Sequence, residues 1–347
     1  MPDTYRIVIF GAGNVGCYIG GRLLSAGADV TMIGRDRLKD TLAANPLVVT
    51  DYHGFESSTQ VEGSQFTTDA NAARDADLVL VTTKSGGTEE AGKALARVLE
   101  KNTPVVSLQN GVSNPDILRK HLPEANVLAG TVPFNVIERN PGHFHQGTEG
   151  HLMAEESPAM DEALGWFRRA GLPLELRADM TSVQWSKLLL NLNNPINALS
   201  GLPLQEELAQ RDYRRCLALA QQETLTLMEW AGIRPVKLTS IPMQLVPYIM
   251  KAPDWLFTRL AKRMLVIDPV ARSSMWNDIE AGRPTEVDWL NGEVVRLATS
   301  LKTRAPVNQT LTHLIHQCEL EPNQKWPASE LLNHLQGALD DYHAGRR

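Results

Sequence analysis

Three groups of residues in this chain have the types and spacing to do chemistry. In the stretch Trp185–Ala198, Lys187, Asn191 and Asn194 fall at i, i+4 and i+7. On one continuous helix they would share a face, and leucines surround that face. Asparagine is a poor residue inside a helix, and an amide on a buried face needs partners. A lysine and two amides beside apolar surface therefore read as a ligand-facing strip. The other reading is a helix end, with Pro195 stopping or kinking the helix and the asparagines capping the next element. The second group is Ser274 and Glu286, in a segment that runs from Ser273 to Gly292. A helix is expected to end near Gly282, with Arg283-Pro284-Thr285 as a connection and Thr285 as the N-cap of the next helix. Glu286 and Asp288 in a first turn are also what the helix dipole favours, so capping is a second explanation for them. The third group is Gly11, Ala12, Gly13, Asn14, Val15 and Gly16.

The glycine group has the pattern of a dinucleotide-binding loop. It comes directly after the apolar run Arg6–Phe10 and opens a helical stretch, which is the strand–turn–helix setting the motif requires. Gly11 would permit the tight turn, Gly13 the approach of a pyrophosphate, and Gly16 the packing of helix on strand. The helix N-terminus would offer free N–H groups to the phosphates. After the next apolar run comes Gly34-Arg35, where an acidic residue would mark NAD and a basic one NADP. Arg35 favours NADP(H), although Asp36 would reach the ribose after a small register shift. Arg37 and Lys39 read as a solvated loop. Lys84 and Asn110 come after two further apolar runs, at the carboxyl ends where an open parallel sheet binds its ligands. A surface lysine and an Asn-Gly turn explain them equally well.

The elements that would carry these residues change character along the chain. Apolar runs at Arg6–Phe10, Asp29–Ile33, Leu78–Thr82, Pro104–Leu108 and Asn126–Ala129 alternate with helical stretches. Continuous apolar strands separated by helices predict a doubly wound parallel sheet of the Rossmann type. From about Asp179 onward, helical periodicity dominates, in Met180–Leu199, Leu204–Ala231, Leu256–Ala281 and Glu286–Leu301. The expected division is residues 1–178 as an NADP-binding α/β domain and 179–347 as an all-helical substrate and catalytic domain. The segment between Arg234 and Asp254 is irregular, and a lid, a partner surface and a packed loop are all compatible with it. The tail Asp340–Arg347 is expected to fray.

Composition narrows the class. The chain has 347 residues, a net charge of −6 and 43% hydrophobic residues. That charge argues against a nucleic-acid binder with a basic face and against a polybasic membrane anchor. No apolar run approaches membrane-spanning length. Cys17, Cys216 and Cys318 form no CxxC pair and are odd in number, against a disulfide framework or a structural zinc site. His143 and His145 lie two apart in a strand-like segment without further ligands, and His313 and His316 read as surface residues, so no metal is expected. The cytoplasm is the expected compartment. Trp255–Phe257 and Met264–Val266 fit either core or a homodimer interface.

With these residues in view, the sequence resembles the ketopantoate reductase (2-dehydropantoate 2-reductase) family over nearly its whole length. The resemblance rests on the Gly11–Gly16 loop, Lys84, Gln109-Asn110-Gly111, Lys187 with Asn191, Ser274 with Glu286, Asp288–Glu293 and Pro306-Val307-Asn308. It implies a Rossmann domain, a helical domain and an active site in the cleft between them. It also implies NADPH-dependent reduction of 2-dehydropantoate to (R)-pantoate, on the way to pantothenate and coenzyme A. Lys187 matches the family's general acid and Glu286 its essential carboxylate. Asn110, Asn191 and Ser274 match residues that contact substrate or cofactor. Arg35 and Lys84 match residues near the adenosine 2′-phosphate. One position departs: some members carry a second asparagine four residues after the one matching Asn191. Pro195 stands there, and the nearby amides are Asn194 and Asn197. Asn194 is kept as a substrate candidate.

Hydride transfer to the ketone of a small anionic 2-keto acid would build negative charge on its oxygen. A protonated lysine can stabilise that charge and donate the proton. Apolar surroundings would lower the pKa of Lys187, and Glu286 would oppose the shift. Two alternatives stand beside this reading: a reductase of another small 2-keto acid, and a non-catalytic NADP(H)-sensing protein.

Overall fold

The computed structural model describes residues 5–260, 270–321 and 324–345. They divide into two compact units, Met1–Met180 and Thr181–Arg347. The first unit carries twelve strands: β1 (Arg6–Phe10), β2 (Asp29–Ile33), β3 (Leu47–Asp51), β4 (Glu56–Thr59), β5 (Phe66–Thr67), β6 (Leu78–Val81), β7 (Pro104–Ser107), β8 (Asn126–Thr131), β9 (Val136–Asn140), β10 (His143–Gln146), β11 (Leu152–Glu155) and β12 (Leu174–Arg177). The main sheet has the order β12-β11-β8-β7-β6-β1-β2-β5. The strand order reverses between β1 and β6, each of which pairs in parallel with the other, and Ile7 faces both Val30 and Leu78 in register.

The alternation of side chains in the central strands explains why they read as continuous apolar runs. Ile7, Ile9, Leu78, Leu80, Val106 and Leu128 join one core cluster. Val8, Val79, Val81, Val105 and Val127 join the other. Each strand thus buries both of its faces, as a sheet covered on two sides must.

The sheet is mixed, not purely parallel as the strand–helix rhythm suggests. β11 runs antiparallel to β8. A parallel return needs a long crossover, usually helical, and the chain between these strands is spent on β9 and β10. Those two join β3 and β4 in a second, four-stranded sheet of order β4-β3-β10-β9. Its strands are four or five residues long and include Glu-Ser-Ser-Thr and His-Phe-His-Gln, which have no apolar run to betray them.

Among its described residues the second unit has helices and no strand. The stretch 180–199 is two helices, Met180–Asn191 and Asn193–Ser200, broken at Leu192. Pro195 lies in the first turn of the second, where its missing N–H costs nothing. The stretch 204–231 divides likewise into Leu204–Ala209 and Arg211–Trp230, because Gln210 is extended. Of the stretch 256–281, Asp254–Leu260 and Ser274–Glu280 are helical; residues 261–269, with Met264–Val266, lie outside the described residues. Helices Asn291–Ser300, Pro306–Leu320 and Ala328–Ala344 complete the unit. The last of these continues as regular helix through Asp340 to Ala344.

The segment 234–254 is not irregular throughout, since it contains the 3-10 turn Met243–Leu245 and the helix Val246–Met250, and it is tied down. The fully buried guanidinium of Arg214 donates to the carbonyls of Leu208, Ala209, Met250 and Ala252 and to Asp254 Oδ1 at 2.7–3.2 Å. Ser186 Oγ accepts from Val236 N–H at 2.8 Å. Among the described residues no helix is long and apolar enough to cross a membrane.

Candidate functional site

In the first unit, Gly11 turns the chain out of β1 with φ +110°, and both Gly11 N–H and Ala12 N–H donate to Ile33 O at 2.9 and 2.8 Å. A Cβ on Gly11 would collide with the backbone of Thr83, and one on Gly16 would stand 2.6 Å from Gly11 O. Gly13 differs: a Cβ there would meet nothing closer than Gly11 O at 4.0 Å. The loop is therefore tight against protein at Gly11 and Gly16 and open at Gly13. The next helix, Asn14–Ser25, has no side-chain cap and no acidic residue in its first turn. Its free N–H groups and positive end are those of an anion site. Asn14 Nδ2 donates to Val136 O at 3.3 Å, and Val15 is half-buried.

Arg35 is exposed and stands at the start of helix Asp36–Ala44, just past β2. Lys84 is exposed just past β6 and begins the short turn Ser85–Gly87. Asn110 lies beyond β7, half-buried, before Gly111 at φ +85°. Its carbonyl accepts from Ser85 Oγ and Asn114 Nδ2 at 3.0 and 2.5 Å. Behind it runs a buried polar network that has no sequence signature. Gln109 Nε2 donates to Thr83 O and to Thr88 Oγ1 at 3.1 and 2.7 Å, and Gln109 Oε1 accepts from Ser107 Oγ at 3.0 Å. Thr88 Oγ1 lies 2.7 Å from Asn114 Oδ1. The network locks together the loops at the carboxyl ends of β6 and β7. His143 Nε2 and His145 Nδ1 both meet Thr50 Oγ1, at 2.9 and 2.8 Å. No group of three or more potential ligands that could hold a metal occurs among the described residues.

In the second unit, Lys187 sits on helix Met180–Asn191, whose last residue is Asn191. Both are half-buried. Burial lowers the pKa of Lys187 to about 8, and the charge of Glu286 works against that shift. The two residues far apart in sequence are thus close enough to feel one another. Glu286 stands at the N-cap position of the short 3-10 turn Val287–Trp289 but its side chain makes no capping hydrogen bond there, and the next α-helix starts only at Asn291. Helix capping therefore does not account for it. Ser274 is exposed at the start of helix Ser274–Glu280, which Ser273 caps by accepting from Trp276 N–H at 3.1 Å.

The break at Leu192 removes the i+7 argument for Asn194, which is half-buried. Its carbonyl accepts from Ser273 Oγ at 3.2 Å. Asn197 is a wholly buried bracket. It accepts from Ser273 N–H at 2.8 Å and donates to Leu202 O and Glu207 Oε2 at 3.0 and 2.8 Å. Asn193 donates to the same Glu207 oxygen at 3.2 Å. Burial pushes the Glu207 carboxyl up to about 8 against both hydrogen bonds. The asparagine-rich sequence thus serves two ends: Asn191 ends the lysine-bearing helix, while Asn193 and Asn197 hold the chain in front of Ser274.

Two family models match the chain. The ketopantoate reductase PanE/ApbA model covers residues 7–158, and the ketopantoate reductase PanE/ApbA C-terminal model covers residues 179–319. The chain belongs to the ketopantoate reductase family. A 2-dehydropantoate 2-reductase of Halobacterium salinarum is 28% identical over 317 residues, covering 89% of this chain and 97% of the relative. Among solved structures, a PanE/ApbA family ketopantoate reductase from Ralstonia eutropha JMP134 superposes with a TM-score of 0.78 at 29% identity, over 91% of this chain and 99% of that one. D-mandelate dehydrogenase, solved with NADH and anilino(oxo)acetate, shares the fold with a TM-score of 0.76 at 20% identity, over 92% and 99% of the two chains.

Proposed function

We propose that the chain is an NADPH-dependent 2-dehydropantoate 2-reductase that forms (R)-pantoate for pantothenate and coenzyme A synthesis. Membership of the family supports the reaction class. The observation that carries the residue assignment is the half-buried Lys187, with its pKa lowered to about 8 and Glu286 acting on it. Perturbed groups of this kind concentrate where chemistry is done.

A dinucleotide fits the first unit: the open side of Gly13 and the uncapped helix N-terminus suit a pyrophosphate. Gly11, Ala12, Gly13, Asn14, Val15, Gly16 and Asn110 would hold it. Arg35 and Lys84, both exposed, would receive the 2′-phosphate, Arg35 through its planar fork. The bound cofactor supplies the hydride. Lys187 keeps a proton at neutral pH and holds it loosely enough to donate to the oxygen of the reduced ketone. Glu286 favours the charged lysine and can accept from a substrate hydroxyl. Asn110, Asn191, Asn194 and Ser274 would orient the keto acid by neutral hydrogen bonds. A homodimer belongs to the same reading, with Trp230, Leu245, Tyr248 and Trp255 each at least half exposed, and so does a cytoplasmic location.

Oxidation of NADPH by the purified protein, monitored by absorbance with ketopantoate beside a panel of small 2-keto acids and repeated with NADH, tests the assignment. Fast turnover of ketopantoate with NADPH is the expected result. Pro195, in place of an asparagine that some members carry, gives a second reading in which another 2-keto acid is preferred. Turnover of that acid with ketopantoate inert would establish it. NADPH binding without turnover anywhere on the panel would leave a sensor.

A further inference from the structure

Glu286 stands at the N-cap position of the short 3-10 turn Val287–Trp289, which its side chain does not cap. Its two flanks are nevertheless anchored, and both anchors lead to one imidazole. On the upstream side, Thr285 N–H donates to Glu319 Oε1 at 2.8 Å. On the downstream side, Asp288 Oδ1 lies 3.1 Å from His316 Nε2. The circuit closes through His316 Nδ1, 3.0 Å from Glu319 Oε2. We propose that His316 is a positioning residue for Glu286: bridging Asp288 and Glu319, it holds in place the segment that carries that carboxylate. The proposal rests on Glu286 having the role assigned above.

The bridge selects one protonation state. A neutral imidazole has a single N–H and would turn a lone pair toward one of the two carboxylates, whereas the imidazolium donates to both. Burial alone would depress the His316 pKa, but the hydrogen bonds and charges of Glu319 and Asp288 outweigh it and leave it raised. Glu319 responds in kind: burial raises its pKa, and Thr285 N–H with His316 brings it below the ordinary value. Beside Asp288 stand Arg296 and Glu293 of helix Asn291–Ser300, which pair with one another at 2.9 Å, and Arg296 also donates to Asp288 O at 2.6 Å. Lys325 and Glu280 act on Cys318, the neighbour of Glu319. The clamp is therefore closed below the His316 pKa and loosens as pH rises through it. His316 and Asp288 are partly exposed, so replacing the histidine leaves the core untouched.

The test compares His316→Ala and His316→Arg with the parent. In the intact protein, an NMR titration should place His316 above the usual value of about 6.5, and Glu319→Gln should lower it. With the substrate found active, H316A should reduce kcat about threefold or more near pH 6, with the dinucleotide KM unchanged. Once each enzyme's rate is divided by its own Lys187 titration, the parent-to-variant ratio should return toward one near pH 9. H316R, able to donate to both carboxylates at every pH, should keep the activity. A ratio that does not change with pH, or a His316 that titrates at or below the usual value, overturns the proposal. If the parent turns over no keto acid, the functional reading fails separately. The clamp is then judged by hydrogen exchange of the Thr285 amide, which H316A should speed near pH 6 and not near pH 9; equal exchange at both overturns it.

Discussion

Burial and the charge of Glu286 make opposing demands on the proton of Lys187, and that opposition can be measured. Lys187→Ala should lower kcat by about 10²–10⁴, the usual worth of a positioned acid, while leaving NADPH affinity nearly intact; single-turnover kinetics beside cofactor titration separate the two. The sign for Glu286 comes from its effect on the lysine. Its charge raises a pKa that burial lowers to about 8. Glu286→Gln should therefore shift the alkaline limb of kcat to lower pH, and a limb that moves upward would break the coupling. Arg35→Ala should raise the NADPH KM roughly tenfold or more, the loss of one charge-assisted contact, and leave the NADH KM alone. At this scale residue type and the family resemblance single out candidates in the sequence: Lys187, Glu286, Arg35 and the glycines. It was silent on Gln109 with Thr88 and on Asn197 with Glu207, ordinary polar residues whose meaning comes from partners far along the chain. His316 read as a surface residue because neither of its carboxylates can be placed before the fold is known.

The elements were legible in proportion to how much apolar surface they bury. The five central strands of the main sheet declare themselves because both of their faces are covered. The small sheet does not, because its strands are short and two of them, Glu56–Thr59 and His143–Gln146, have no apolar run. The break between Asn191 and Asn193 was hidden, since Leu192 carries no breaking signal and Pro195 sits where a helix tolerates it. That break lets Asn197 face Glu207 and Ser273 and act as a bracket. Asn197→Ala would leave the buried Ser273 amide and the Leu202 carbonyl without this partner and strip the buried Glu207 carboxyl of one of its two amide donors. It should cost about 2–4 kcal/mol, the range for several buried polar groups left unpaired, read by denaturant unfolding. The turn before helix Asn14–Ser25 is equally exacting. Gly11→Ala forces a side chain into Thr83 at positive φ and should destabilise the fold, whereas Gly13→Ala, with open space for its Cβ, should weaken cofactor binding and leave folding nearly intact; thermal unfolding beside calorimetry with NADPH separates these effects.

For the whole molecule, each unit is compact by its own contacts, and both core clusters of the main sheet lie entirely within the first. A fragment of residues 1–180 should therefore fold and bind NADPH without reducing any keto acid, because Lys187 and Glu286 are outside it. Failure to bind, with circular dichroism still showing a folded sheet, would remove the cofactor from the first unit. The change from apolar strands to helical periodicity was legible at this scale; the antiparallel place of β11 was not, since nothing local tells a strand its direction.

The three cysteines give the molecule an unplanned pair of clocks. Cys17 is buried in the first unit, on the helix behind the glycine loop, and Cys216 and Cys318 are buried in the second. Burial also raises all three thiol pKa values, so the reactive thiolate is scarce as long as each unit stays closed. Alkylation rates thus report how often each unit opens, one residue at a time, in a mass spectrum. Added NADPH should slow the labelling of Cys17 more than that of Cys216.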